Sequence, residues 1–195
     1  MNARWLVVAG VAAFAPSAAR AVEPLRVCAD PNDLPFSNAA GEGFENKIAE
    51  MIAVELRRPL QYVWRAERRG FLRDGINSGA CDLVTAVPLG VDYRKDDPAA
   101  DIVRAVADRE IDVAAVWGPV AGYFAERQSP PLVVTPLADQ GTARIPMVFD
   151  IAMGVRKRDD DLKQAVQAAL DALKPRIDET LRQYGVPIVT SDGTQ

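Results

Sequence analysis

The stretch LRVCADPNDLPFSNAAGEGFENKIAEMIAVELRRPLQYVW, residues 25–64, decides the fold. Its first five residues are a short apolar run, expected as a strand over 25–29. Residues 30–43 then carry prolines, asparagines and glycines and read as a long loop. Phe44, Ile48, Ile52 and Leu56 recur at helical spacing, which predicts a helix over 44–57 that Pro59 stops. A second apolar strand follows over 60–64. Strand, helix and strand in that order imply parallel pairing through a right-handed crossover, and hence an α/β fold.

Working outward, residues 69–78 read as a second short helix and 81–87 as a third strand that Pro88 closes. The expected strand order is second, first, third, which makes the first and third strands neighbours. A second half opens after the polar residues 92–97, with Asp97 as helix cap and Pro98 in the first turn. Ile102, Val103 and Val106 give that helix an apolar face, and a strand is expected over 111–117. The pair echoes the first half, since Asp112-Val113-Ala114 repeats the pattern of Asp82-Leu83-Val84.

After Gly118 and Pro119 a short helix should end near Gln128, followed by strands over 132–136 and 148–155. The helix capped by Asp159 or Asp160 carries Leu162, Val166, Leu170 and Leu173 on one face. Pro175 should open a separate helix bearing Ile177, Leu181 and Tyr184, which Gly185 ends. The run Asp159-Asp160-Asp161 suits a positive helix end better than a metal ion. Two parallel-sheet lobes are implied, one built from 22–91 plus 156–195 and a second, reduced lobe from 92–155.

Composition narrows the chemistry. The chain has 195 residues, 49% of them hydrophobic, as in an ordinary globular protein. It has no histidine, which removes Ser-His-Asp and Cys-His nucleophiles, His-ligated metals and imidazole proton shuttles. With no catalytic constellation to assemble, a non-enzymatic binding protein without a cofactor is expected. The formal charge of −4 argues against a nucleic-acid partner.

Residues 1–21 read as a secretory signal. Arg4 supplies the positive start, an apolar run of about ten residues follows, and Ala19-Arg20-Ala21 fits a small-residue cleavage site. The run is well short of the roughly 20 residues that span a bilayer, so no membrane span should remain after cleavage. An exported chain meets an oxidising compartment, where Cys28 and Cys81 either pair, closing a loop of about 53 residues, or stay as two buried thiols.

In open α/β sheets ligands sit beyond the carboxyl ends of the strands. That rule places the candidate ligand or partner site at Asp30, Asn32, Pro35 and Phe36 from the first loop, at 87–90, and at Trp117, Gly118 and Pro119. The Gly41-Glu42-Gly43 run could present backbone N–H groups to an anion, although Glu42 and Glu45 already complement the helix end. Arg65, Arg68, Arg69 and Arg73 make either a solvated helix face or a docking patch for an acidic partner.

Taken together, residues 25–38, the run Gly41-Glu42-Gly43-Phe44-Glu45, the Arg68-Arg69-Gly70-Phe71 turn, the segment from Val116 to Phe124 and the run from Phe149 to Val155 resemble a known family. The sequence looks like the periplasmic proteins associated with quinoprotein methanol dehydrogenases, the MxaJ/XoxJ type, which are relatives of the type II periplasmic solute-binding proteins. The resemblance covers nearly all of residues 25–190. It implies a type II periplasmic-binding-protein-like α/β fold, a periplasmic location, and an accessory role beside a PQQ-dependent methanol or alcohol dehydrogenase or its cytochrome c. A solute-binding protein of an ABC transporter with a small-molecule ligand, or a truncated remnant, are the alternatives. Family members are longer and two-lobed, and here the segment after Val91 passes at once to a late helix of lobe two. The opening strand and helix of that lobe are therefore expected to be missing. The resemblance also places Trp117-Gly118-Pro119 where amino-acid receptors carry a clamping Asp, which points away from an amino-acid ligand.

Overall fold

The computed structural model describes residues 22–67, 70–87, 98–137 and 151–189. The signal-like segment 1–21, the pair Arg68 and Arg69, and most of the expected site segment 87–90 lie outside the described residues.

Strand β1 is Leu25–Ala29, and the loop after it holds a two-residue hairpin of β2, Asn32–Asp33, and β3, Ser37–Asn38. Helix α1 is Phe44–Glu55, and Pro59 separates it from β4, Leu60–Trp64. The helix expected over 69–78 is only one turn, α2, Phe71–Asp74, and the rest of that span is turns. Strand β5 is Leu83–Val87. Helices α3, Pro98–Ala107, and α4, Gly118–Glu126, precede the short strand β6, Ala152–Val155, and the long α5, Asp160–Gln183.

One sheet organises the described residues, in the order β4-β1-β5-β6. β1 runs parallel to β4, with Leu25 opposite Leu60 and Ala29 opposite Trp64, and parallel to β5, with Val27 opposite Leu83. The first three strands thus take the expected order. β6 adds an antiparallel edge, with Leu83 opposite Val155, so residues 152–155, which follow the second half in sequence, hydrogen-bond into this first sheet.

Alternation along β1 divides the core between the two faces. Leu25 and Val27 pack with Ile48, Ala49 and Ile52 of α1 and Leu162, Val166, Ala169 and Leu173 of α5. Cys28 points the other way, into a smaller cluster with Ile76, Cys81 and Val84. There Cys28 and Cys81 form a disulfide with Cα atoms 5.6 Å apart, because adjacent parallel strands bring those positions together.

Arg26, between the two core-facing residues, leads to a polar hub at the start of β5. The Asp82 side chain is 4% exposed and meets Arg26 at 2.7 Å, Arg156 at 3.1 Å and Arg58 at 3.5 Å. Burial alone would raise the Asp82 pKa, but the hydrogen bonds and charge of Arg26, with the charge of Arg156, hold the carboxyl below its ordinary range. Asp82 thereby ties together β1, the turn before β4, and the segment entering α5.

Three expectations are corrected. The strand expected over 111–117 does not form, and neither does the one over 132–136: 111–112 are a bend, and 113–117 and 132–136 carry no regular secondary structure and have no strand partner among the described residues. Strand propensity is not enough without a neighbouring strand, and among the described residues neither segment has one. The strand expected over 148–155 is seen as Ala152–Val155, with 148–150 outside the described residues. Pro175 does not open a new helix but lies inside α5. It is exposed, so water can satisfy the carbonyl whose helical donor is lost, and buried Leu173 holds the helix on the core.

Candidate functional site

The candidate site is built on the loop between β1 and α1. Asp30, the first residue past β1, accepts hydrogen bonds at Oδ1 from the Asn32 backbone at 2.9 Å and at Oδ2 from the Glu67 backbone. Its carbonyl accepts from Ser37 Oγ at 2.8 Å. The Asp30 carboxylate therefore pins the loop to the turn after β4, while Asn32 is exposed at the hairpin. The Leu34–Pro35 peptide is cis and Pro35 is fully buried.

This loop also caps α1. The Pro35 carbonyl accepts from Phe44 N at 2.9 Å and the Phe36 carbonyl from Glu45 N at 2.9 Å. Asn46 Oδ1 accepts from the backbone N–H of Gly43 at 3.1 Å and of Asn38 at 3.0 Å. A Cβ on Gly43 would lie 2.1 Å from the Phe36 carbonyl oxygen, so no other residue fits this approach. With the first N–H groups of α1 used by the chain itself, the helix start is not open to an anion.

Phe36 is where the two halves meet. Its ring packs edge-on against Phe44, with centroids 5.2 Å apart, and stacks on Trp117, with centroids 5.0 Å apart and planes 17° from parallel. Trp117 is the N-cap of α4, and Gly118 and Pro119 open its first turn. α4 is held close because Gly118 and Gly122, one helical turn apart, face the chain after α5. A Cβ on Gly118 would meet Pro187 at 2.7 Å, and one on Gly122 would lie 1.7 Å from the Gly185 carbonyl oxygen. Tyr184 completes the seam: it stacks on Tyr123, packs edge-on to Phe44, and donates its hydroxyl to the Glu42 carbonyl.

The structure thus joins Phe36 and Trp117 in one aromatic seam, with Pro35 capping α1 beside Phe36 and Gly118 and Pro119 following Trp117 into α4, while Asp30 and Asn32 form a separate hydrogen-bonded turn. Sequence reasoning missed Glu45. It is 7% exposed and accepts from Thr85 Oγ1 of β5 at 2.7 Å, and burial, with the charges of Glu67 and Asp33 nearby, raises its pKa to about 8. Glu67 is raised to about 8 in the same way, by burial first and then by Asp33 and Asp30. Glu45 sits in a first helical turn, where an acid is ordinarily exposed and dipole-favoured. The one available signal was the loop of 30–43, long enough to fold back over that turn. Among the described residues no group of three or more His, Cys, Asp and Glu side chains is arranged to hold a metal ion, and no helix is long and apolar enough to cross a membrane.

No protein-family model matches the sequence. The chain is 27% identical to protein MoxJ of Methylorubrum extorquens over 257 aligned positions, covering 88% of this chain and 85% of MoxJ. The crystal structure of the periplasmic binding protein XoxJ from Methylobacterium extorquens AM1 superposes with a TM-score of 0.70 at 28% identity, covering 86% of this chain and all of that one. The chain is thus similar in sequence to MoxJ and has a type II periplasmic-binding-protein fold. MxaJ from Methlophaga aminisulfidivorans shares the fold, with a TM-score of 0.66 at 20% identity over 85% of this chain. The alignment with MoxJ has more positions than this chain has residues, so MoxJ carries residues without a counterpart here. The aromatic seam and the disulfide therefore stand in a short form of the fold.

Proposed function

We propose that this protein is a non-enzymatic periplasmic accessory protein of a PQQ-dependent methanol or alcohol dehydrogenase system, docking on the dehydrogenase or its cytochrome c. The observation that carries the proposal is the Phe36–Trp117 stack. At the carboxyl end of the sheet, where a solute receptor offers its binding walls to a ligand, these two rings occupy one another. The solute-binding scaffold is then free to act as an interaction surface, in keeping with the similarity to MoxJ and the resemblance to dehydrogenase-associated proteins.

The candidate docking patch is Arg65, Arg68, Arg69 and Arg73, which follow β4 in the sequence. Arg73 is paired to Asp74 at 2.7 Å and Arg65 is exposed. Rim charges of this kind mainly tune association rate. Reversing Arg68 and Arg69 to Glu should slow capture of purified quinoprotein methanol dehydrogenase by about tenfold at low salt, an effect that fades as charges beyond about 8 Å are screened near physiological ionic strength. An unchanged association rate would remove this patch from the docking surface.

A further inference from the structure

The first turn of α1 buries a carboxyl that no cation answers. Glu45 is 7% exposed, and its Oε2 accepts from Oγ1 of buried Thr85 on β5 at 2.7 Å. Among the described residues no Lys or Arg pairs with it, and the charged side chains that face it are acids, Asp33 on the loop before α1 and Glu67 after β4. From β4 the Tyr62 hydroxyl donates to the Asn46 carbonyl at 3.2 Å, and from the end of α5 the Tyr184 hydroxyl donates to the Glu42 carbonyl, so neither tyrosine offsets a negative charge on Glu45. An ionised carboxylate held out of water by a single hydroxyl donor is strongly disfavoured. Such a group keeps its proton or gains access to water.

The loop of residues 30–43 packs on this turn and is fastened to it by its own hydrogen bonds. The Phe36 carbonyl accepts from Glu45 N at 2.9 Å, Asn46 Oδ1 accepts from Asn38 N at 3.0 Å, and Asp30 Oδ2 accepts from Glu67 N. The closure leaves one group unsatisfied, since Asn46 Nδ2 is buried without a hydrogen-bond partner among the described residues. The same loop carries Phe36, whose ring stacks on Trp117. We propose that this loop is a proton-operated clasp: it closes over Glu45 while the carboxyl holds its proton, and it opens, parting Phe36 from Trp117, when the proton leaves to water. Once ionised, Glu45 is also repelled by Asp33 and Glu67, which sit on the two segments that the Asp30 carboxylate ties together. Burial sets the sign: the closed form binds the proton more tightly, so opening is opposed below the ordinary 4.5 and becomes easier as the pH rises toward about 8. The clasp needs neither ligand nor partner and stands apart from the docking reading.

Amide hydrogen exchange of the mature protein tests the clasp, with the Asn38 and Glu45 N–H groups as reporters because their bonds cross it. After correction for the intrinsic rate, their exchange should rise by about tenfold per pH unit between about pH 5 and 7, as expected when opening releases one proton. The Val166 and Leu173 amides of α5 should exchange at least about tenfold more slowly at each pH, which marks the opening as local rather than global. In Glu45→Gln, which keeps a partner for Thr85 but cannot ionise, the corrected exchange of the reporters should not change with pH. Should that variant not fold, the Glu45 carboxyl resonance of the wild type decides, and it should titrate near 8. Reporters indifferent to pH, an equal rise in Glu45→Gln, reporters exchanging at the α5 rate, or a carboxyl titrating at the ordinary 4.5 would each overturn the inference. None of these results bears on capture of a dehydrogenase.

Discussion

Phe36 and Trp117 lie face to face with ring centroids 5.0 Å apart, joining the loop after the first strand to the first turn of α4. Phe36 is 9% exposed and also touches Phe44, so the stack passes contact from α4 to the start of α1. Phe36→Ala should lower stability by about 3 kcal/mol, the low end for truncating a buried aromatic residue. Trp117→Ala, at a half-buried position, should cost less. In urea unfolding the double variant should show a coupling of about 0.5–1.5 kcal/mol, as expected of stacked rings. Additive losses would mean that the rings are neighbours without mutual support.

Asp82 gathers Arg26, Arg58 and Arg156 at the opposite end of the sheet. Asp82→Asn leaves three guanidinium groups around a neutral amide and should cost about 3 kcal/mol, at the low end for a broken buried pair because the arginines are partly exposed. The sign of the pH effect follows from a folded-state pKa held below the ordinary 3.8. The contribution of Asp82 is complete above that ordinary value and is lost as the pH falls through the lower folded one. Acid unfolding of the wild type should therefore be steeper than that of Asp82→Asn, and equal slopes would contradict the hub.

Glu45 gives the opposite slope. Its carboxyl is raised to about 8 by burial, so the folded state holds this proton more tightly than the unfolded state. Stability from this group is full below the ordinary 4.5 and declines as the pH rises toward about 8. Glu45→Gln keeps a partner for Thr85 without an ionisable group and should flatten that decline in melting temperature. A variant that loses stability equally at every pH would show that Glu45 acts through packing alone.

The Cys28–Cys81 disulfide closes a 53-residue separation. The denatured, unreduced protein should show no titratable thiol, and reduction should lower stability by on the order of 4 kcal/mol in the chain-entropy model. Two thiols reacting without reductant would contradict the bridge.

What was legible in the sequence is the half that can fold from its own neighbours. β1, α1 and β4 follow from apolar spacing and from Pro59, and the crossover rule makes β5 the neighbour of β1, which brings Cys81, just before β5, to Cys28. Less legible were elements whose state depends on a partner. The 111–117 and 132–136 segments have strand sequences, but a strand needs a sheet, and no local pattern announces that none pairs with them among the described residues. Pro175 has the sequence signature of a helix start, but its exposed position inside α5 tolerates the lost hydrogen bond. Within the candidate site the residue types at Phe36 and Trp117 suggested a cleft wall. That the two rings close on each other depends on Gly118 and Gly122 letting α4 approach Gly185 and Pro187, a contact between distant parts of the chain.

Calorimetric titration of the mature protein with purified quinoprotein methanol dehydrogenase, set beside titration with the common amino acids, separates an accessory docking protein from a solute receptor most directly. The accessory role predicts saturable, salt-sensitive heat with the dehydrogenase or its cytochrome c and none with any amino acid. A saturable heat with an amino acid, and none with the dehydrogenase or the cytochrome, would contradict it.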